Sequence, residues 1–417
     1  MFSKIRAELT SFSSLEKWFI LFAMITGFCI AGEYGITRPA SISLFVGTFT
    51  TKGFPLVWLA TVPLNFLAIW LYNRFLSKIG PLKMMAAVAL FSTLVNCIAA
   101  LFVTTFPWAI FLQFAWKDIY ILLMFKQLWS LIHSTITPHR AKYLYGVLFA
   151  VGTLGSITGS LIPGFFATWT GSESLFFLTA PVYALMLFAY RRAYFASPIA
   201  SGSIIQKETE PKEGFSLVFR SQYLMAILAI VVFMQVSSGL IEYHFNTYLE
   251  QAITEIDLRT EYMGRLSSIM NLLSGVLQLV GSFLMVQLFG VRNSHLLIPA
   301  YLLLNSIAFA LFPSFGMLAY SFIVLKGIDY SLFGVVREML YIPLQLDEKF
   351  RAKAVIDVFA YRSSKALVSC GILAMQAVAG SQLLSYISGV SIAIFVLWIS
   401  AAWVLLRKHR TMQAFAP

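Results

Sequence analysis

The sequence predicts an all-α, polytopic membrane protein with about twelve transmembrane helices in two six-helix bundles. Composition, hydropathy and loop charge carry that expectation. The 417 residues are 59% hydrophobic and only 12% charged, against about 45–50% and about 25% in soluble domains. Mean hydropathy is +0.80, and there are 38 phenylalanines. A soluble fold of this length would hold far more apolar side chains than it has core positions to bury them. Disordered, collagenous and disulfide-scaffold classes are excluded on the same grounds. Cys29, Cys97 and Cys370 all lie in apolar runs, where cysteine behaves as a small hydrophobe.

Apolar stretches of about 20 residues, long enough to cross hydrocarbon as a helix, recur along the whole chain. They fall near 18–37, 54–76, 84–104, 112–136, 143–168, 174–194, 221–248, 263–289, 294–312, 315–336, 354–379 and 384–406. The apolar stretch 106–116 extends either the third span or the fourth. Residues 1–17 are amphipathic and read as a segment on the inner leaflet rather than a signal peptide.

With both termini inside, the cytoplasmic loops collect Lys78, Lys83, Arg140, Lys142, Arg191, Arg192, Lys207, Lys212, Arg292, Lys349 and Arg407, among others. The loop after the seventh span reads as acidic, with Glu250, Glu255, Asp257 and Glu261. This is the positive-inside asymmetry of membrane proteins. The net charge of +12 is therefore a topology signal and no argument for a nucleic-acid partner. The lipid bilayer is the expected partner, a bacterial inner membrane the expected location, and a monomer the expected state.

One polar stretch, 196–220, divides the chain into an N-terminal half at 1–195 and a C-terminal half at 221–417, and reads as a cytoplasmic linker. The halves carry a faint repeat. Glu33-Tyr34 returns as Glu242-Tyr243, and Arg140-Ala141-Lys142 as Arg351-Ala352-Lys353, at nearly one offset. Parallel six-helix halves with a substrate site near the midplane are the architecture of major facilitator transporters.

No soluble-enzyme signature is present. There is no phosphate-binding G-x-x-x-x-G-K-[ST] loop, no H-E-x-x-H, and no histidine–cysteine ligand spacing. Neither a cofactor nor a metal is expected, and the protein is not read as an enzyme. Gly152, Gly155 and Gly159 lie mid-span and read as a helix-packing face, because small residues let backbones approach in lipid. His133 and His244 read as interior histidines.

The charges inside the spans carry the chemistry: Glu33, Arg38, Lys126, Glu242, Lys326, Asp329, Asp357, Arg362 and Lys365. Each would cost about 2.5–3.5 kcal/mol at a lipid-facing helix centre, so such a set persists where it is paired or faces water. Lys326 and Asp329, at i,i+3, are expected to neutralise each other. Asp357 reads as clustering with Arg351 and Lys353 at the membrane interface, and Glu33 as within reach of Arg38. Arg38, Lys126, Arg362 and Lys365 then stand out as cations for a multiply charged organic anion, arginine as a bidentate fork and lysine as a point charge. Glu33, Glu242 and Asp329 are the candidates for carrying a coupling proton.

The run Lys326-Gly-Ile-Asp-Tyr-Ser-Leu-Phe333, followed by Arg337-Glu338-Met-Leu-Tyr-Ile-Pro-Leu344 and Arg351-Ala-Lys-Ala-Val-Ile-Asp-Val358, resembles the plastid- and intracellular-parasite-type ATP/ADP translocases. That family writes these stretches as K-Y-S-L-F, K-E-M-A-Y-I-P-L and G-K-A-A-I-D-V, then a GKSGG-like segment where this chain has Ser363-Ser364-Lys365. Tyr34-Gly-Ile-Thr-Arg38 is similar to its first-span Y-T-I-L-R. Leu128-Trp129-Ser130 is similar to its fourth-span pattern, and Arg140-Ala141-Lys142-Tyr143 to the A-K-R-F/Y stretch after that span.

The resemblance implies twelve helices of major-facilitator form and either ATP/ADP exchange or proton-linked nucleotide uptake. It implies functional roles for Arg38, Glu242 and Lys365. Three positions depart from the family: Ser41 stands in place of a lysine, Gln127 in place of a glutamate and Gly334 in place of an aspartate. The expected function is secondary active transport of a nucleotide or related anionic metabolite by alternating access. The alternative is a divergent major-facilitator carrier for another solute, such as a cofactor-like metabolite or amino-acid derivative, which fewer site charges would suit.

Overall fold

The computed structural model describes residues 13–136, 138–197, 211–341, 355–356 and 360–408. Residues 1–12, most of the 196–220 linker, Arg351–Lys353 and Asp357 lie outside the described residues, as do the side chains of Arg140, Lys142 and Arg362.

Every regular element among the described residues is helical. Helix α1 (Ser14–Phe49) opens on a reciprocal cap in which the Glu16 N–H donates to Ser13 Oγ at 3.2 Å and the Ser13 N–H to Glu16 Oε2 at 2.8 Å. It runs past the end expected near residue 37 because Pro39 is absorbed within it. Membrane helices tolerate an interior proline when neighbouring groups re-satisfy the freed backbone.

Helix α2 (Phe54–Phe102) holds two expected spans on either side of Gly80, whose φ of 78° turns the chain between them. Helix α3 (Trp108–Thr135) takes up the ambiguous 106–116 stretch. Then come α4 (Pro138–Thr170), α5 (Thr179–Phe195), the short α6 (Pro211–Arg220), α7 (Gln222–Ala252) and α8 (Ile256–Val276). A π-turn, Leu277–Gly281, leads into α9 (Ser282–Leu311), which bends at Gly290 with φ of 71°. Helix α10 (Phe315–Ile328) passes through a second π-turn, Asp329–Phe333, into α11 (Gly334–Leu340). Helices α12 (Tyr361–Ala379) and α13 (Leu383–Lys408) close the series.

Ten helical stretches among the described residues are long and apolar enough to cross a membrane, and a shorter apolar helix covers Ser363–Ala379. With the 51–102 stretch divided at Gly80, each of the twelve expected spans has its helix. Large apolar side chains such as Leu90, Leu101, Phe165 and Leu304 stand exposed along these helices, as lipid-facing surface requires.

Gly80 and Gly290 add a third repeat pair. Both adopt the left-handed conformation that only glycine enters without strain, with nearly equal ψ of 169° and 164°. Their spacing falls between the two dipeptide and tripeptide offsets, and each joins the second helix of its half to the third.

The loop expected to be acidic is mostly helix. Glu250 lies on α7, and Asp257 and Glu261 on α8. The Thr51 N–H and hydroxyl donate to Glu250 at 3.0 and 2.6 Å, and those of Ser172 to Asp257 at 2.8 and 2.5 Å. Glu261 accepts from the Thr168 hydroxyl at 2.5 Å and from Arg265 at 2.9 Å. These acids are hydrogen-bond acceptors between helices, so the helices extend through them.

The chain forms two compact units. One takes the described residues of 1–50, 63–206 and 253–272; the other takes those of 51–62, 207–252 and 273–417. In the first unit, α1 packs chiefly on α4 and α5, and glycine sets the α1–α4 distance. A Cβ on Gly32 would stand 3.3 Å from the Gly155 carbonyl oxygen, and one on Gly35 2.8 Å from that of Ser156. Cβ atoms on Gly155 and Gly159 would meet the carbonyl oxygens of Phe28 and Gly32. Gly152, expected on the same face, has open space around it.

Candidate functional site

In the first unit, Glu33 is fully buried on α1 and holds hydroxyl donors. Its Oε1 accepts from Thr37 at 2.6 Å and from Tyr120 of α3 at 2.9 Å. The neighbouring Tyr34 hydroxyl donates to Asp118 of α3 at 3.1 Å. Asp118 in turn pairs with Lys117 at 3.0 Å, and the Lys117 ammonium lies 3.8 Å from the centre of the Phe114 ring. Sequence reasoning misses Lys117 and Asp118. The signal that could have found them is two adjacent opposite charges inside an apolar span. Arg38 is half-buried on α1. Lys126 is exposed on α3, with its ammonium 5.8 Å from the centre of the Tyr72 ring.

The two family departures in this unit sit in neutral networks. Ser41 is fully buried and donates to Gln113 Oε1 at 2.6 Å; Gln113 donates to Asn96 at 3.1 Å, and Asn96 to Thr179 at 3.2 Å. Gln127 donates to the Pro81 carbonyl at 3.2 Å and to the Tyr190 hydroxyl at 3.0 Å, and it accepts from the Tyr72 hydroxyl. Buried polar groups are stable when every member finds a partner. A charge at either position would strand that network, so neutral residues at 41 and 127 agree with the surroundings.

In the second unit, the Lys326 ammonium bonds Glu242 at 2.7 Å, with side chains 7% and 18% exposed. The direct partner of Lys326 is therefore Glu242 of α7, while its charge also acts on Asp329 one turn along. Lysine's long stem lets it reach α7, and Asp329 accepts from the Gln235 amide of α7 at 3.0 Å. Asp329 is buried at the first position of its π-turn, which packs on the other π-turn, Leu277–Gly281. Such turns occur often at functional sites. Lys365 is half-buried on α12, its ammonium 5.9 Å from the centre of the Trp58 ring.

The Glu-Tyr repeat has a structural counterpart in each unit. Glu33 reaches α3 and Glu242 reaches α10, each the fourth span of its half. Tyr34 bonds Asp118, and Tyr243 accepts from Gln376 of α12 at 3.0 Å. Each unit thus holds one fully or largely buried carboxylate among polar partners, Glu33 with the hydroxyls of Thr37 and Tyr120 in the first and Asp329 with Gln235 in the second.

Comparisons with known proteins agree with this architecture. The model of the TLC ATP/ADP transporter family matches residues 186–324 and 311–409, more than half of the chain. The chain is 24% identical to ADP,ATP carrier protein 1 of Chlamydia pneumoniae, covering 96% of this chain and 93% of that one. It is 22% identical to ADP,ATP carrier protein 1 of Rickettsia bellii, over 71% and 67% of the two chains. Among solved structures, the nucleoside transporter NupG superposes with a TM-score of 0.62 at 13% identity, covering 97% of this chain and all of that one. The POT family transporter PepTSo superposes with a TM-score of 0.63 at 12% identity, covering 95% and 99%. These last two likenesses speak to the fold. By the family match, the chain belongs to the TLC ATP/ADP transporter family.

Proposed function

We propose that the protein is a secondary active transporter that moves an adenine nucleotide, or a closely related phosphorylated anion, across a bacterial inner membrane by alternating access. The observation that carries this reading is the match to an ADP,ATP carrier over 96% of the chain and 93% of that carrier. The transporter works as a monomer of two six-helix halves, with both termini and the 196–220 linker in the cytoplasm. Arg38, Lys126, Arg362 and Lys365 supply positive charge to the substrate, and Glu242 orders the cations around it. Glu33 and Asp329 are the carboxylates available for proton coupling.

The test is uptake of labelled ATP and ADP into a heterologous bacterial host. Arg38→Ala and Lys365→Ala should each weaken apparent affinity by about 1.5–3 kcal/mol for each charge-assisted hydrogen bond lost, about ten- to a hundredfold. Arg38→Lys should also lose affinity if both arms of the fork are used. Near-wild-type affinity in both alanine variants would remove these residues from the substrate.

A second reading has its own support. Ser41 and Gln127 are engaged in neutral networks, so fewer charges are available than the resemblance implies. That favours a less anionic solute, and uptake of neither nucleotide would decide for it. Topology has a separate check. Single cysteines placed in the 196–220 linker of a cysteine-free protein should react with an impermeant thiol reagent only from the cytoplasmic side. Labelling from outside intact cells would reverse the orientation.

A further inference from the structure

Three charged groups on α7 and α10 do not form a simple pair. Lys326 is bonded to one carboxylate, and its charge also acts on a second. It bonds Glu242 at 2.7 Å, and Asp329 is one helical turn further along its own helix, the spacing at which side chains meet. The hydrogen bond that Asp329 accepts from Gln235, at 3.0 Å, comes from a neutral amide. Gln235 lies two turns before Glu242 on α7, so one helix presents both an amide for Asp329 and an acid for Lys326.

We propose that Asp329 is the carboxylate that binds a coupling proton, and that Lys326 passes between Glu242 and Asp329 as that proton comes and goes. With the proton on Asp329, the group is a neutral acid held by Gln235, and the ammonium of Lys326 stays on Glu242, as the structure has it. Loss of the proton to water leaves a carboxylate one turn from that ammonium. The lysine is then drawn towards Asp329, and Glu242 is released. Intramembrane acids mark the proton relays of pumps and transporters.

Position in the fold links this exchange to movement. Asp329 begins one π-turn, and that turn packs on the other at Leu277–Gly281. A π-turn interrupts the regular hydrogen-bond register of a helix and is frequent at functional sites, so a charge change at its first residue acts at that interruption. The charged groups acting on Asp329 are Lys326 of α10, Arg337 of α11 and Glu242 of α7. The facing turn Leu277–Gly281 brings no titratable side chain, and α9, which also packs on the Asp329 turn, carries the buried His295.

This inference rests on the transport reading above and is tested so that the two can fail separately. The full-length protein in liposomes is assayed with labelled ADP in two ways: accumulation driven by an inward proton gradient, and exchange against internal ADP at equal pH. The wild type should accumulate ADP. Asp329→Asn should lose gradient-driven accumulation while still exchanging, and its exchange should lose the pH dependence of the wild type. Asp329→Glu, which keeps the acid, should recover part of the accumulation.

Accumulation by Asp329→Asn at the wild-type level would overturn the proposal. So would loss of both activities in the Asn and Glu variants alike, which would mark Asp329 as structural. A wild type that exchanges ADP without any response to the gradient overturns coupling but leaves transport standing. Loss of accumulation in Glu33→Gln with retention in Asp329→Asn would move the proton to α1. A wild type that moves no ADP in either assay removes the transport reading, and this one with it.

Discussion

Alanine at Gly155 or Gly159 is expected to destabilise the protein by about 1–3 kcal/mol or more, the cost of forcing extra atoms into a packed contact. The reason is the nature of the neighbour. The added Cβ would meet the backbone carbonyls of Phe28 and Gly32 on α1, not the end of a flexible side chain. Backbone can yield only if α1 moves, and α1 is also tied to α3 through Glu33–Tyr120 and Tyr34–Asp118. Gly152→Ala is the internal control. It lies on the same helix with nothing within 4 Å of a new Cβ, and alanine is about 1 kcal/mol better than glycine inside a helix. Thermal unfolding in detergent should therefore separate the three variants, with Gly152→Ala at or above the wild type and the other two well below. Equal midpoints would mean that the α1–α4 approach contributes nothing to stability.

That pair of glycines is legible in the sequence, and their neighbour shows where legibility ends. Hydropathy places the spans because the bilayer imposes a length on each of them. Small residues every three or four positions mark a packing face, but nothing local tells which of three glycines meets a partner. Helix ends are less visible. The first apolar run is read as ending near residue 37, yet α1 continues to Phe49 with Pro39 inside it. Glu250, Asp257 and Glu261 suggest a solvated loop. They lie instead on helices, where Thr51, Ser172 and Thr168 donate to them. Those donors are between 85 and 199 positions away in sequence, a distance over which periodicity carries no information.

The same limit explains the charged residues. The i,i+3 rule pairs Lys326 with Asp329 because it considers one helix at a time. In the fold, Lys326 meets an acid 84 positions away. Ser41 and Gln127 can be recognised from sequence as departures from a family pattern. That each is hydrogen-bonded to neutral side chains, Gln113 in one case and Tyr72 and Tyr190 in the other, emerges only from the packing of several helices at once.

The largest effect is expected at the Glu242–Lys326 pair. Both side chains are largely withdrawn from solvent, 18% and 7% exposed, with 2.7 Å between the charged atoms. Removing one member of such a buried pair typically costs about 3–5 kcal/mol, and Asp329, on which Lys326 also acts, offsets part of that in Glu242→Gln. Glu242→Gln and Lys326→Met should each lower the unfolding midpoint strongly. The double variant removes both charges, so its loss should be well below the sum of the single losses, the non-additivity that a double-mutant cycle measures. Uptake then separates structure from function. If Glu242 did no more than neutralise Lys326, the double variant would regain transport together with stability. On the proposed roles of Glu242 in ordering the substrate cations and of Lys326 as the moving charge, the expected result is recovered stability with uptake still absent. Recovery of both would reduce the pair to a fastening between α7 and α10 and would also remove the charge that the Asp329 exchange requires.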